Sequence, residues 1–396
     1  MTDRGVRGEY GSLCAGAKCS YTRVPMPLDE PQDRPEAVVD ALAEAAGGPV
    51  SPVARRADSP EVQQAIDRLI EQTGGKPGTF DARLVRELIQ TALKLIPDGR
   101  DTGEVKLLTN AVKELRYAFR VFAKYRDPHK VTIFGSARTP ESHPDYAACV
   151  EFSRFMAEAG WMSITGAGLG IMKAGHVGPG RDASFGVAIR LPFETNANPV
   201  IAGDEKLINF RYFFTRKLMF VSQAEAVALF PGGFGTLDEA YEALTLVQTG
   251  KSTPMPIVLV EGVGGDYWKS WDAWVRTQLL ARGWISPEDP GIYYLAKDPR
   301  DAADHIIRFY RTYHSSRYLR DRFVVRLQRP LTSASLDALN TEFAVLVKDG
   351  RIEQSPGPLE GEDGPPNLPR IHFHHTKHKY GLIRAMIDRI NTLETA

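Results

Sequence analysis

The sequence predicts an α/β protein: a doubly wound, Rossmann-like parallel sheet with a helical N-terminal extension and a small α+β C-terminal extension. Three observations carry that expectation. Between residues 130 and 314 short β-rich runs alternate with helical stretches, as in a parallel sheet covered on both faces. Upstream, from 60 to 125, apolar residues recur at helical spacing. Downstream, from 316 to 396, the pattern changes to strand, helix, strand and then a Gly/Pro-rich loop.

Residues 1–59 are rich in Gly, Pro, Ala and charge without sustained periodicity and are expected to be mostly disordered. In 60–125, Val62, Ile66, Leu69 and Ile70 share one helical face, as do Leu84, Leu88, Leu93 and Ile96, and then Leu107, Val112, Leu115 and Phe119. The main domain, 126–315, is expected to hold strands near 131–134, 161–165, 185–189, 206–210, 226–230, 256–260 and 292–295. Helices are expected between them near 145–159, 169–177, 212–223, 236–248, 267–282 and 299–313. The extension, 316–396, contains "RFVVRLQRPLTSASLDALNTEFAVLVKDGRI", a loop over 355–369 and "RIHFHHTKHKYGLIRAMIDRINTL". It is expected to pack on the main domain or on another subunit.

Lysine plus arginine, at 49, equal aspartate plus glutamate, also 49, so no overall field draws the chain to nucleic acid or to a membrane. Any affinity for anions must be local. The three cysteines, Cys14, Cys19 and Cys149, are too few and too scattered for a disulfide framework and point to a reducing compartment. No apolar run is long enough to span a bilayer, and no leader-like apolar segment stands at the start, so a cytoplasmic location is expected.

In doubly wound sheets ligands sit at the carboxyl ends of the strands. Three of the expected strand ends carry glycine: "VTIFGSARTP" with Gly135, Ser136 and Arg138, "SITGAGLGIMKAG" with Gly166, Gly168 and Gly170, and "LFPGGFGTLDE" with Gly232, Gly233 and Gly235. A glycine-rich loop leading into a helix lets backbone N–H groups close on an anion at the positive end of the helix dipole. Three such ends side by side suggest a nucleotide. The dinucleotide fingerprint is not met, because Ile171 stands where its third glycine belongs and the run follows the second strand. No G-x-x-x-x-G-K-[ST] occurs. Thr236 to Glu239 also fits a capping box, with Thr236 as the cap and Glu239 reaching back, but a cap needs no three glycines in four positions. In "NFRYFFTRKLMFVSQAEA", Arg211, Arg216 and Lys217 stand near the start of a helix, where the dipole disfavours cations. They require a partner: a structural carboxylate, a phosphate, or the acids after Gly235.

"FRYFFTRKLM" followed by "FPGGFGTLDEAYEALTLVQTGK" resembles the R-K-x-x-M and P-G-G-x-G-T-x-x-E pair of the LOG (Lonely Guy) family. Its members are cytokinin riboside 5′-monophosphate phosphoribohydrolases and related nucleotide glycosidases, often labelled lysine decarboxylases. The resemblance covers residues 130–314, and "PFETNANPVI" and "PIVLVEGVGGDYWKSWDAWV" are similar to the longer bacterial members. It implies that Arg216 and Glu239 form the catalytic pair. It further implies that Lys217, Gly232, Gly233, Gly235 and Thr236 hold the 5′-phosphate and ribose, and that Thr245 and Glu194 complete a substrate pocket that includes Gly135, Ser136, Gly166 and Gly168. The chain departs from the family's G-G-G-x-G-x-M-E-A at Lys173, which replaces an acid.

The reaction so implied is hydrolysis of the N-glycosidic bond of a purine nucleoside 5′-monophosphate, AMP or an N6-modified relative, to free base and ribose 5-phosphate. Glu239 would stabilise an oxocarbenium-like ribose and orient or deprotonate the attacking water. Arg216 would hold Glu239 ionised and anchor the substrate through a planar fork. No cofactor and no metal are implied: His372, His374, His375 and His378 cluster in "IHFHHTKHKYG", but the alternation of Ile371, Phe373 and His375 reads as a strand. Trp268, Trp271 and Trp274 read as packing on a helix far from the glycine loops. A decarboxylase would need a pyridoxal-phosphate lysine and its flanking motif, which the sequence lacks. The resemblance also implies a homodimer or higher homo-oligomer. The alternative on the same fold is a non-catalytic nucleotide-binding sensor or carrier.

Overall fold

The computed structural model describes residues 54–190, 197–362 and 364–396. It divides into two compact units, a smaller one of helices ending at Tyr117 and a larger one, Ala118–Ala396. The helices of the smaller unit are α1 (Pro60–Gln72), α2 (Phe80–Lys94) and α3 (Thr102–Phe122), the last of which runs on past Tyr117. Ser59 and Thr79 cap the first two by accepting the amides of Val62 and Ala82, and Pro60 occupies a first-turn position that needs no donor. Ile66, Ile70 and Ala82 form a small core. The other apolar faces expected here are exposed, with Leu84 at 41%, Leu88 at 52% and Ile96 at 80%. Helical periodicity locates a helix; it does not say what covers its apolar face.

The larger unit is built on seven strands: β1 (Lys130–Phe134), β2 (Met162–Thr165), β3 (Ser184–Ile189), β4 (Leu207–Phe210), β5 (Ala226–Leu229), β6 (Ile257–Leu259) and β7 (Tyr293–Leu295). They pair in the order β4-β3-β2-β1-β5-β6-β7, parallel throughout. Between and after them run α4 (Pro144–Glu158), α5 (Ile171–Val177), α6 (Phe213–Ser222), α7 (Phe234–Gln248), α8 (Tyr267–Trp274, prolonged by a π-helical turn over Val275–Leu280) and α9 (Pro299–Phe309). All seven expected strands are present, with ends shifted by a residue or so. They were legible because β1, β2, β5 and β6 are buried along their whole length. A strand buried on both faces shows no alternation and reads as an unbroken apolar run. Ile133, Phe152, Met156, Ala228, Phe230 and Val258 pack together on one face of the sheet, and each large apolar side chain taken out of water contributes about 1.5–3 kcal/mol.

The C-terminal part adds a second, antiparallel sheet of β8 (Tyr313–Leu319), β9 (Arg322–Leu327), β10 (Glu353–Ser355) and β11 (Arg370–His374), in the order β10-β11-β9-β8. Two helices, α10 (Ser333–Glu342) and α11 (Tyr380–Ile390), cover one face. Strand β8 corrects the expectation of a helix running to residue 313: the helix ends at Phe309 and Tyr313 opens a strand. "YHSSRYL" is too polar to announce itself, and its extended form comes from pairing with β9. His372 and His374 lie on β11, as the alternation predicts. His374 Nδ1 stands 2.6 Å from an Asp349 carboxylate oxygen, and its Nε2 accepts from Arg322 at 3.0 Å.

The extension packs on the main domain. Arg384 of α11, fully buried, donates from Nη1 to the carbonyls of Met255 and Ile292 at 3.1 and 3.2 Å, at the starts of β6 and β7. Asn391 accepts the amides of Thr312 and Tyr313 at 2.8 and 3.1 Å and donates to the Phe309 carbonyl at 2.6 Å. On the other face of the second sheet, Arg326 and Arg370 converge on Glu362, all three side chains at 0% exposure. No described helix is long and apolar enough to cross a membrane.

Candidate active site

The strand order reverses between β1 and β5, which leave the sheet side by side, with Phe134 paired to Leu229. At such a switch point the helices after the two strands go to opposite faces and open a crevice above the carboxyl ends. The loops after β1, β2 and β5 meet there through one residue. Ser136 donates its amide to the Pro231 carbonyl at 3.1 Å, and its own carbonyl accepts from Ile171 at 3.0 Å. The three glycine-bearing loops expected from the sequence are therefore brought together.

Close approach explains several of the glycines. A Cβ on Gly135 would lie 2.6 Å from the Ile171 side chain, and one on Gly170, at φ +57°, 2.3 Å from the Ser136 carbonyl. On Gly166 it would strike Met172 Sδ at 2.6 Å and Arg216 Nη2 at 2.9 Å, so the guanidinium lies against the second loop. On Gly232 it would lie 2.2 Å from Thr236 Oγ1. Gly233 and Gly235 are different: nothing stands within 4 Å of a Cβ there, and the loop is open on that side. Gly232→Ala is accordingly expected to destabilise the protein by about 1–3 kcal/mol, the usual effect of overpacking. Urea unfolding should read this as a lower midpoint with an unchanged m value.

Helix α7 starts earlier than the capping-box reading requires. Its cap is Gly233, whose carbonyl accepts from Leu237 at 3.1 Å, so Thr236 sits inside the first turn, buried, and is not the cap. The first-turn amides thus come from the open Gly233–Gly235 stretch, and helix N-terminal amides lack intrahelical partners. Glu239 follows on the same helix. Its Oε1 stands 3.7 Å from Arg216 Nη2, and both side chains are largely buried. That separation is a charge contact and exceeds hydrogen-bond length. Burial pushes the Glu239 carboxyl up to about 7; Arg216 and then Lys217 act in the opposite direction without prevailing. At Glu239, then, burial and the Arg216 contact oppose each other, and burial prevails.

Arg216 projects from α6 between aromatic rings, its guanidinium 5.1 Å from the Phe220 centroid and 5.8 Å from that of Phe213. Lys217, next to it, turns to the outer acids, 2.6 Å from Asp238 and 3.1 Å from Glu242. Burial works against its charge, but the hydrogen bonds to Asp238 and Glu242 outweigh it and the pKa is raised. Lys173 is likewise committed, at 2.5 Å from Glu141. Thr245 lies exposed further along α7, six residues from Glu239 and so on a different face. Glu194 falls outside the described residues.

Two supports escaped the sequence reading. Ala167, in the second loop, takes a left-handed φ of +62°, a conformation costing a non-glycine residue on the order of 1 kcal/mol. Asn198 holds it there, donating from its backbone and side chain to the Ala167 carbonyl at 2.8 and 3.1 Å and to Gly168 at 3.0 Å. Behind it His176, fully buried, shares a hydrogen bond with the Phe185 carbonyl at 2.9 Å, which that carbonyl can only accept, so Nε2 carries the proton. The second support is Tyr267, the first residue of α8, whose hydroxyl donates to the Gly232 carbonyl at 2.7 Å. The tryptophan helix is therefore not far from the glycine loops: it begins on one. Trp268 is buried with Nε1 on the Val260 carbonyl at 3.1 Å, as a packing residue should be.

In comparisons with known proteins, residues 169–306 match a family model described as "Possible lysine decarboxylase". No curated protein matches the chain. Among solved structures the molybdenum cofactor carrier protein from Chlamydomonas reinhardtii is 17% identical, over 46% of this chain and 97% of that one, with a TM-score of 0.33. The molybdenum cofactor binding protein from the phototrophic bacterium Rippkaea orientalis is 18% identical over 46% and 96%, with a TM-score of 0.33. A structural-genomics target is 21% identical over 46% and 99%, with a TM-score of 0.34. The stretch from the second glycine loop to α9 is thus similar to the family model under whose description LOG proteins are often placed.

Proposed function

We propose that the larger unit hydrolyses the N-glycosidic bond of a purine nucleoside 5′-monophosphate, AMP or an N6-modified relative, releasing the base and ribose 5-phosphate. One observation carries the reading: a buried carboxylate, Glu239, stands beside buried Arg216 just beyond an open glycine-rich helix start at the switch point, and burial pushes its pKa up to about 7. The phosphate would rest on the first-turn amides of α7. Glu239, with a pKa near the working pH, would take a proton from water as its oxygen bonds to C1′ and the C1′–base bond breaks. The bond pair leaves with the base, which then takes up a proton as Glu239 gives one back to solvent, and the ribose, cationic in the transition state, is stabilised by the carboxylate.

The decarboxylase description finds no support in the two lysines beside the glycine loops. A Schiff-base lysine needs a lowered pKa, whereas Lys173 and Lys217 are ion-paired and raised. A homo-oligomer remains part of the proposal, because Phe213, Phe214 and Phe234 stand exposed beside the site, and sedimentation velocity would test it. The function itself is tested by chromatography of products after incubation with AMP, N6-isopentenyl AMP, GMP, CMP and adenosine. Release of base from purine monophosphates and not from adenosine is the expected result. AMP bound without any release would instead make the protein a nucleotide sensor or carrier.

A further inference from the structure

We propose that Tyr267 is a positioning residue that sets the selection for a 5′-phosphate, by fixing the Gly232–Gly233 peptide so that the loop after β5 offers an incoming anion only donors. The inference rests on the reading that this loop holds the phosphate. The Tyr267 hydroxyl donates to the Gly232 carbonyl at 2.7 Å. The peptide is trans, and in a planar trans peptide the carbonyl and the following N–H point in opposite directions. Drawing the Gly232 oxygen toward α8 therefore turns the Gly233 N–H the other way, to join the first-turn amides of α7. Released, a peptide between two glycines turns at little steric expense, and the reverse orientation would set a carbonyl oxygen against the phosphate.

The anchor is rigid. Tyr267 packs edge-on against Trp268, with ring centroids 4.8 Å apart, and Trp268 is itself held by Nε1 to the Val260 carbonyl at 3.1 Å and by its amide to Glu261 at 3.2 Å. Burial raises the Tyr267 phenol pKa, so the hydroxyl stays protonated and remains a donor at neutral pH. Two cations beside the loop are already engaged. Lys217 is paired to Asp238 and Glu242, and Arg216 lies against Gly166 and the Phe220 ring. On this proposal discrimination of phosphate from no phosphate falls on backbone amides, with their direction set from α8.

The test is Tyr267→Phe, which keeps the ring and its contact with Trp268. Affinity for ribose 5-phosphate, measured by calorimetry, is expected to weaken about tenfold, the effect of losing one hydrogen bond that orients a donor toward a charge. Affinity for adenosine should not change, and kcat/KM for AMP should fall. Unchanged binding of ribose 5-phosphate overturns the proposal. So does an equal loss for ribose 5-phosphate and adenosine, which is what general loosening of the fold produces, and so does a wild-type chain that binds no ribose 5-phosphate. Binding is read without turnover, so a tenfold loss in a protein that releases no base would sink the glycosidase reading and leave this one standing.

Discussion

Glu239→Gln is expected to lower the rate of base release from AMP by about 10²- to 10⁴-fold, the span over which a general base contributes, while AMP affinity stays within a few-fold. Gln keeps the shape and cannot take a proton. Product chromatography beside calorimetry separates the two, and undiminished release would remove Glu239 from the mechanism. The same carboxyl gives a pH signature. It must be ionised to act and is raised to about 7 by burial, so kcat/KM should climb through about pH 7 and level off above it. Stability should move the other way. The folded-state value lies above the ordinary 4.5, so this group's contribution is fully present below that value and is lost as pH rises through about 7, on the order of 3 kcal/mol. Glu239→Gln lacks that loss. Relative to wild type it should unfold at a higher temperature at pH 8 than at pH 4, and a constant difference would show that burial does not govern the carboxyl.

Glu362→Gln is expected to be the most destabilising single change in the C-terminal sheet. Arg326 donates from Nε to Glu362 Oε1 at 2.7 Å, with Nη2 at 2.6 Å from the same oxygen, and Arg370 Nε reaches the other oxygen at 3.3 Å. Removing the acid leaves two buried guanidiniums facing each other across paired strands, since Arg326 and Arg370 are register partners. Breaking such a buried set costs about 3–5 kcal/mol, whereas replacing all of it with apolar residues of similar size is often neutral. Calorimetric unfolding of Glu362→Gln and of the triple change Arg326→Met, Glu362→Leu, Arg370→Met checks this. A Gln variant as stable as wild type would mean that the two arginines find other partners.

Sequence alone exposed the seven-stranded sheet because its central strands are apolar from end to end and its helices amphipathic. It exposed the glycine loops because glycine is the one residue that tolerates the approaches at Gly135, Gly170 and Gly232. What it hid was contact between residues distant in the chain. Strand β8 is made by its partner, Tyr267 meets Gly232 across 35 positions, and Asn198 meets Ala167 across 31. The capping-box match at Thr236 is incidental for a local reason: S/T-x-x-E marks a cap only if the helix starts there, and the glycines let it start earlier. The charge state of Glu239 was hidden for another. Proximity of Arg216 and Glu239 is implied by the family resemblance, but the balance of burial against attraction depends on every atom packed around the pair.

Arg384 reaches carbonyls that lie 129 and 92 residues before it. During synthesis the strands of the parallel sheet emerge well ahead of the helix that braces β6 and β7, and domains tend to fold from the N-terminal side as they appear. The ribosome therefore releases a nearly finished sheet whose far flank waits, unbraced, for a segment still being made. For that interval the carbonyls of Met255 and Ile292 lack their guanidinium donor, and any slowing of translation between β7 and α11 lengthens it.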